Sequence, residues 1–285
     1  MEAWHAAVLG LVEGVTEYLP VSSTGHLILA SSLLGLDAPE HAEALKAFEI
    51  AIQGGAILAV LGLYRARVVQ MGRGLAGRDP AGQRLLRNLA LGFAPAAVLG
   101  PLLDKPIDRL LFRPLPVLFA LAAGGAWMIW LDRRQRGNPT GAALDALGWR
   151  AAVAIGFFQC VAMWPGTSRS MMAIAGGLIV GLRIGDAAEF SFLLGVPTLG
   201  AACAYKLLKN LLAAHASGAP NLFVALGPAP VAIGFAVAAA SAALAVRWLV
   251  GFLQRAGLAP FGWYRLALAG VLGALSLAGL VQLGA

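Results

Sequence analysis

Glu13 and Glu17 stand four residues apart inside an otherwise apolar stretch. On a helix their carboxyl groups share one face. Two carboxylates this close in a poorly hydrated place do not both stay charged cheaply: one takes a proton, or a cation sits between them. Oxygen ligands from one or two carboxylates suit Mg²⁺ or Ca²⁺. The alternative is a helix face open to water, where both ionise. Pro20 ends that helix, and Ser22, Ser23 and Thr24 follow, all good N-cap types for the next one. The first N–H groups of that next helix lack intrahelical partners and, with the helix dipole, form an anion site. His26 falls in its first turn, where it can serve as general acid or base near neutral pH.

A second segment repeats the device. Pro165-Gly166 stops one helix, Thr167 or Ser168 caps the next, and Arg169-Ser170 opens it. Arg169 stands where a bound anion would lie, and a planar guanidinium suits bidentate phosphate recognition. The competing role is an ion pair with Glu13 or Glu17, and one residue serves both if the phosphate leaves. Two helix N-termini, hydroxyls, an Arg, a His and a carboxylate pair describe a site for a phosphate or diphosphate, with a cation offsetting its charge. Hydroxyls and a His beside a phosphate favour phosphoryl transfer over binding alone. Glu49 and Gln53 share a helix face, as Glu189 does with its neighbours; they are expected to support the site from behind or to pair with Arg265.

These residues need elements that hold polar groups inside an apolar chain. The 285 residues are 59% hydrophobic and 12% charged, with a mean hydropathy of +0.78. An ordinary soluble domain is about 45–50% apolar and about 25% charged. Too few charges are present to cover a globule of this size, which excludes a soluble enzyme, a disordered chain and a coiled coil and leaves a polytopic membrane protein. The net charge of +7 comes from runs such as Arg65, Arg67, Arg73, Arg78, Arg84 and Arg87 between apolar segments. That is the pattern of cytoplasmic loops, and it argues against a nucleic-acid partner. Cys160 and Cys203 lie in apolar stretches and read as small packing residues. The segment Met1–His5 has no basic run, so no cleavable signal peptide is expected.

Six stretches approach the length needed to cross a bilayer: roughly 44–63, 85–103, 114–131, 187–208, 223–249 and 261–284. Two more, about 3–36 and 150–182, are broken at 16–26 and 164–170, so each half is too short to cross. They are expected to form helix–loop–helix hairpins that dip in and return on the same side. Irregular backbone at membrane depth is tolerated only around protein or a water-filled cavity, so the two breaks point to one polar cavity. The competing reading makes them surface loops between short tilted helices.

The chain also repeats itself. Pro20-Val-Ser-Ser-Thr recurs loosely as Pro165-Gly-Thr-Ser-Arg, Leu91-Gly-Phe-Ala as Ile233-Gly-Phe-Ala, and the segment opened by Pro116 as that opened by Pro260, in the same order and at nearly one offset. Each half holds one hairpin and three spans, an odd number, so the second half is inverted. The fold class is therefore an all-α polytopic membrane protein: one integral domain, 1–285, of two inverted-topology repeats, about 1–135 and 146–285, with about six transmembrane helices and two re-entrant hairpins. About thirteen Lys and Arg fall in or beside loops 64–84, 132–149, 183–186 and 250–260, against about six on the other side. This bias puts both termini outside the cytoplasm.

The run Glu13-Gly-Val-Thr-Glu17-Tyr-Leu-Pro20-Val-Ser-Ser23-Thr-Gly-His26 resembles the first signature of the undecaprenyl-diphosphate phosphatases of the bacitracin-resistance (BacA-type) family. Pro165-Gly-Thr-Ser-Arg169-Ser resembles the second. Phe48-Glu49-Ile-Ala-Ile-Gln53, Glu189-Phe-Ser-Phe-Leu-Leu and Pro260-Phe-Gly-Trp-Tyr-Arg265 follow in family order. The resemblance covers essentially the whole chain. It implies an enzyme of the bacterial inner membrane, with a site opening to the outer, periplasmic face. There it would hydrolyse the C55 polyprenyl diphosphate left after peptidoglycan polymerisation to the monophosphate carrier and inorganic phosphate, using a divalent cation. Many relatives carry Thr where this chain has Ala173, so that position is given no role.

On this reading Glu17, Ser23, His26 and Arg169 are catalytic. Ser22, Thr24, Thr167, Ser168 and Ser170 bind substrate, and Glu13 with Glu17 holds Mg²⁺ or Ca²⁺. Ser23 is the candidate nucleophile with His26 relaying its proton; the competing schemes make His26 the nucleophile, or let water attack with Glu17 as base. The rival class is a secondary transporter or lipid flippase, for which inverted repeats and half-helix anion sites are equally typical. A homodimer is compatible with the sequence but not demanded by it; membrane lipids are the other expected partners.

Overall fold

The computed structural model describes residues 1–36, 42–135, 141–217 and 226–279. Among them are eleven α-helices: α1 (Ala3–Thr16), α2 (Ser23–Leu33), α3 (Ala42–Leu63), α4 (Arg65–Leu75), α5 (Pro80–Leu110), α6 (Pro114–Gln135), α7 (Trp149–Val161), α8 (Arg169–Ile179), α9 (Ile184–Ser217), α10 (Pro228–Ala256) and α11 (Ala259–Leu277). The chain is an all-α polytopic membrane protein.

Both broken stretches fold as short helix pairs. α1 and α2 have 14 and 11 residues, α7 and α8 have 13 and 11, against the about 20 a bilayer requires. The first break is shorter than the sequence suggested: α2 already begins at Ser23, because the Ser-Ser-Thr run starts the helix instead of belonging to the loop. Of the six expected spans, α5, α6, α9 and α10 are long and apolar enough to cross singly. α3 passes only together with α4, from which it is bent by 78° at Tyr64. α11 has 19 residues, and Trp263, Tyr264 and Arg265 near its start lower its hydropathy. α5 begins on a well-made cap, where Asp79 accepts from the N–H groups of Ala81 and Gly82 at 2.9 Å and Pro80 fills the first helical position.

The packing exchanges the two halves. α1 lies on α10 as α7 lies on α5; α3 lies on α10 as α9 lies on α5; α3 meets α9, and α6 meets α11. Matching α1 with α7, α3 with α9, α5 with α10 and α6 with α11 turns each contact into another of the set or into itself, as two repeats related by a pseudo-two-fold axis require. The closest approaches obey the same rule. A Cβ on Gly10 of α1 would run into the carbonyl of Gly234 in α10, and one on Gly156 of α7 into the carbonyl of Gly92 in α5. Small residues let helix backbones touch in a membrane, where helices gain no hydrophobic drive toward one another. The halves are not identical. α8 lies along α9 far more closely than α2 lies along α3 among the described residues. Ser170–Leu178 of α8 are all buried, whereas α2 buries only Gly25, Leu27 and Ser31. The second hairpin is thus central and the first more peripheral.

Candidate active site

The two breaks meet. Ser170 Oγ donates to the carbonyl of Leu19 at 2.9 Å, tying the second loop to the first. Each loop turns through a serine in a left-handed conformation, Ser22 at φ 75° and Ser168 at φ 76°, and the second also through Gly166 at φ 91°. A side chain there costs on the order of 1–3 kcal/mol and persists only where its surroundings hold it. Ser168 holds itself: its hydroxyl accepts from the N–H of Met171 at 3.3 Å and meets Ser170 Oγ at 3.1 Å. Ser22 makes no side-chain cap; its carbonyl is met by Nδ1 of His26 at 2.7 Å. The two kinks turn the starts of α2 and α8 toward one polar cavity of about 130 Å³. It is lined by Glu17, Ser22, Ser23, Thr24 and Gln53 from the first half and by Ala162, Pro165, Gly166, Ser168, Arg169 and Leu199 from the second.

Glu17 is the hub. Its Oε2 accepts from Ser23 Oγ at 2.7 Å, and its Oε1 faces Nη2 of Arg169 at 3.2 Å. Both ions of that pair are nearly buried, with side chains 5% and 10% exposed. Arg169 also donates from Nη1 to the carbonyl of Ser191 at 2.9 Å and lies 5.1 Å above the ring of Tyr18. Its passage needs a glycine, since a Cβ on Gly195 would meet the guanidinium carbon at 2.8 Å. Nε of Arg169 is buried and without a hydrogen-bond partner, while the residue itself belongs to the cavity lining.

One turn behind, Glu13 is 1% exposed and its Oε1 has no hydrogen-bond partner. Glu17, Glu49 and Arg169 all stand within electrostatic reach of it. No group of three or more His, Cys, Asp or Glu side chains gathers as a closed metal cage among the described residues. An orphan carboxylate oxygen beside Glu17 nevertheless fits a hard cation that takes most of its ligands from water and a substrate phosphate.

The remaining expected residues divide. Thr24, Ser168 and Gln53 line the cavity, and Gln53 Oε1 accepts from Cys203 Sγ at 3.2 Å. Cys203 therefore does more than fill space. Thr167 and Ser170 are buried outside the cavity lining, where they hold the loop together. Glu49 is half-buried one turn before Gln53. Neither is the partner of Arg265. That side chain, fully buried, donates to the carbonyls of Ala120 at 3.0 Å and Gly166 at 2.8 Å. Glu189 pairs instead with Arg67 at 2.7 Å, away from the cavity. His26 does not reach Ser23 through either nitrogen: Nδ1 meets Ser22 and Nε2 meets the hydroxyl of Tyr264 at 2.6 Å. The proton acceptor facing Ser23 is Glu17.

Sequence reasoning missed Tyr18, Ser191, Gly195 and Tyr264. Tyr18 and Tyr264 lie inside the signature runs, which was their only signal. Ser191 contributes a backbone carbonyl and Gly195 an empty space, and neither leaves a mark on residue type.

Beside the cavity runs an apolar groove of about 530 Å³. Leu11, Val12, Val15, Thr16, Leu19 and Val21 form one wall, Trp248, Pro260, Phe261 and Tyr264 the other, and His26 stands in its lining. An all-α membrane protein whose two re-entrant hairpins bring helix N-termini, an Arg–Glu pair and a Ser hydroxyl to one polar pocket, with an apolar groove alongside, belongs to the class built for an anionic head on a hydrophobic tail. The description Bacitracin resistance protein BacA matches residues 6–271, and the chain belongs to that family. It is 47% identical over 267 residues to the Undecaprenyl-diphosphatase of Sorangium cellulosum, covering 93% of this chain and 83% of that protein. It is 44% identical to the Undecaprenyl-diphosphatase of Aromatoleum aromaticum, covering 92% and 90%, and 44% identical to Undecaprenyl-diphosphatase 2 of Rhodospirillum rubrum, covering 97% and 96%.

Proposed function

We infer that this protein is an integral membrane phosphatase that hydrolyses undecaprenyl diphosphate to undecaprenyl phosphate and inorganic phosphate, returning the carrier lipid for peptidoglycan synthesis. The observation that carries the reading is the junction of Ser23, Glu17 and Arg169 between two helix N-termini, with relatives of that name aligned over nearly the whole chain.

The terminal phosphate occupies the polar cavity. The guanidinium of Arg169 and the first N–H groups of α2 and α8 hold its oxygens. Ser23 Oγ attacks the terminal phosphorus and gives its proton to Glu17, to which it already donates. The bond from phosphorus to the bridging oxygen breaks, and the lipid monophosphate leaves with that oxygen. Glu17 passes that proton to the departing monophosphate, then takes a proton from the water that cleaves the phosphoserine and returns it to Ser23 Oγ as inorganic phosphate leaves. Glu13 and Glu17 hold a divalent cation, Mg²⁺ or Ca²⁺, which offsets the charge of the diphosphate. The first isoprene units of the tail lie in the apolar groove, and the rest in lipid. The protein sits in the bacterial inner membrane, its basic loops in the cytoplasm and its site open to the periplasmic face.

The test is phosphate release in detergent from C55 diphosphate, with and without Mg²⁺ or Ca²⁺, for wild type and Arg169→Ala. Release that needs the cation and falls at least about a hundredfold in a folded Arg169→Ala protein is expected, the size lost with a transition-state anion donor. A folded wild-type protein that releases no phosphate refutes the reading and turns attention to lipid flux across vesicles.

A further inference from the structure

Two consecutive residues of α11 reach the two kinks of the site. Arg265 donates to the carbonyl of Gly166, which turns the second loop at φ 91°. Tyr264 reaches the first loop through His26. The carbonyl of Ser22 can only accept, so Nδ1 of His26 carries the ring proton and donates to it at 2.7 Å. Nε2 of the neutral imidazole is then an acceptor, and the hydroxyl of Tyr264 donates to it at 2.6 Å. The two rings lie within 6° of parallel, their centroids 5.6 Å apart. The chain of donors therefore ends on the carbonyl of Ser22, the one left-handed residue of the pair whose own hydroxyl makes no cap. Where Ser168 braces itself, Ser22 is braced from a helix 238 residues away in sequence from His26.

We propose that Tyr264 is a positioning residue of the phosphatase site: by donating to Nε2 it reinforces the Nδ1-protonated tautomer of His26 that the Ser22 carbonyl selects, and so holds the Ser22 kink that aims the N-terminus of α2 and the Ser23 hydroxyl at the terminal phosphate. With Arg265 beside it holding Gly166, one turn of α11 sets the spacing of both helix N-termini. This account rests on the proposed phosphatase reading and gives His26 a task other than taking the proton of Ser23.

The test is Tyr264→Phe, which keeps the stacked ring and removes one hydroxyl. Two quantities are measured on the whole protein in detergent: kcat and KM for C55 diphosphate, and the ¹⁵N shifts of the His26 ring. The ring signal is identified among the four histidines by its loss in His26→Asn. In wild type, His26 is expected protonated on Nδ1 alone. In Tyr264→Phe a mixture of tautomers appears, kcat falls about tenfold or more, and KM changes less than twofold, since misplacement of a reacting group acts mainly on kcat. A wild-type ring protonated on Nε2 overturns the proposal, as does a variant in which either kcat or the tautomer stays unchanged. Wild type that releases no phosphate fails the phosphatase reading instead. The ring shifts then still decide whether Tyr264 reinforces the tautomer.

Discussion

At the scale of single residues, the site is organised by what each polar atom can reach. Glu17 spends one oxygen on Ser23 and the other on Arg169, so in the proposed mechanism the carboxylate that takes the proton of Ser23 also holds the guanidinium offered to the phosphate in register. In that mechanism a phosphate drawing on Arg169 would weaken the ion pair and release Oε1 as Oε2 takes up the proton of Ser23. Removing one partner of a buried pair costs about 3–5 kcal/mol because the other charge stays behind, which is why Arg169→Ala needs a check of folding beside its assay. The arrangement of Ser23 and Glu17 makes a prediction about the covalent step. Rapid quenching of enzyme with C55 diphosphate, followed by mass spectrometry, is expected to find phosphate on Ser23. Phosphate on His26 would refute the Ser23 mechanism, and no phosphorylated residue at all would favour direct attack by water.

At the scale of elements, the hairpins work because helix contacts around them are close. Gly10 against Gly234 and Gly92 against Gly156 place α1 and α7 within backbone contact of their supporting helices. These are the helices whose ends carry Glu13 and Glu17 on one side and Pro165 and Gly166 on the other. Extra methyl groups in such a seam force the helices apart and cost about 1–3 kcal/mol. Gly156→Val is therefore expected to lower the thermal midpoint in detergent and to reduce phosphate release. Gly148→Ala, at a position with nothing within 4 Å of a Cβ, is expected to do neither. A Gly156→Val protein as stable as wild type would show that the seam is not needed to hold the second hairpin.

At the scale of the molecule, the exchange of halves explains why the site lies between them. Neither repeat contains it: Arg169 and Glu17 are 152 residues apart in sequence, and His26 and Tyr264 are 238 apart. The two hairpins bring the starts of α2 and α8 to one cavity, so an anion bound there, as proposed, would be held by both dipoles. The basic bias supports the proposed orientation. In a protein with Cys160 and Cys203 replaced by Ala, a cysteine introduced as Arg78→Cys is expected to react with a membrane-impermeant maleimide only from the cytoplasmic side. One introduced as Lys105→Cys is expected to react in intact cells. The opposite pattern would reverse the orientation and with it the periplasmic site.

Hydropathy, the two polar breaks and their residue types are local properties, and they made the membrane class, the paired hairpins and much of the lining of the polar cavity legible in the sequence. Glu17, Ser23, Thr24 and Arg169 were readable because helix starts and membrane-buried charges constrain residue type directly. Choices among partners of similar chemistry were not readable. That Arg169 pairs with Glu17 while Glu13 keeps an orphan oxygen depends on the angle at which α8 meets the end of α1. That Ser23 faces Glu17, that Tyr264 holds His26, and that Arg265 bonds backbone carbonyls instead of Glu49 depend on helices brought together across the chain. Residue type fixes what an atom can bond, and only the tertiary packing decides which partner lies within about 3 Å of it.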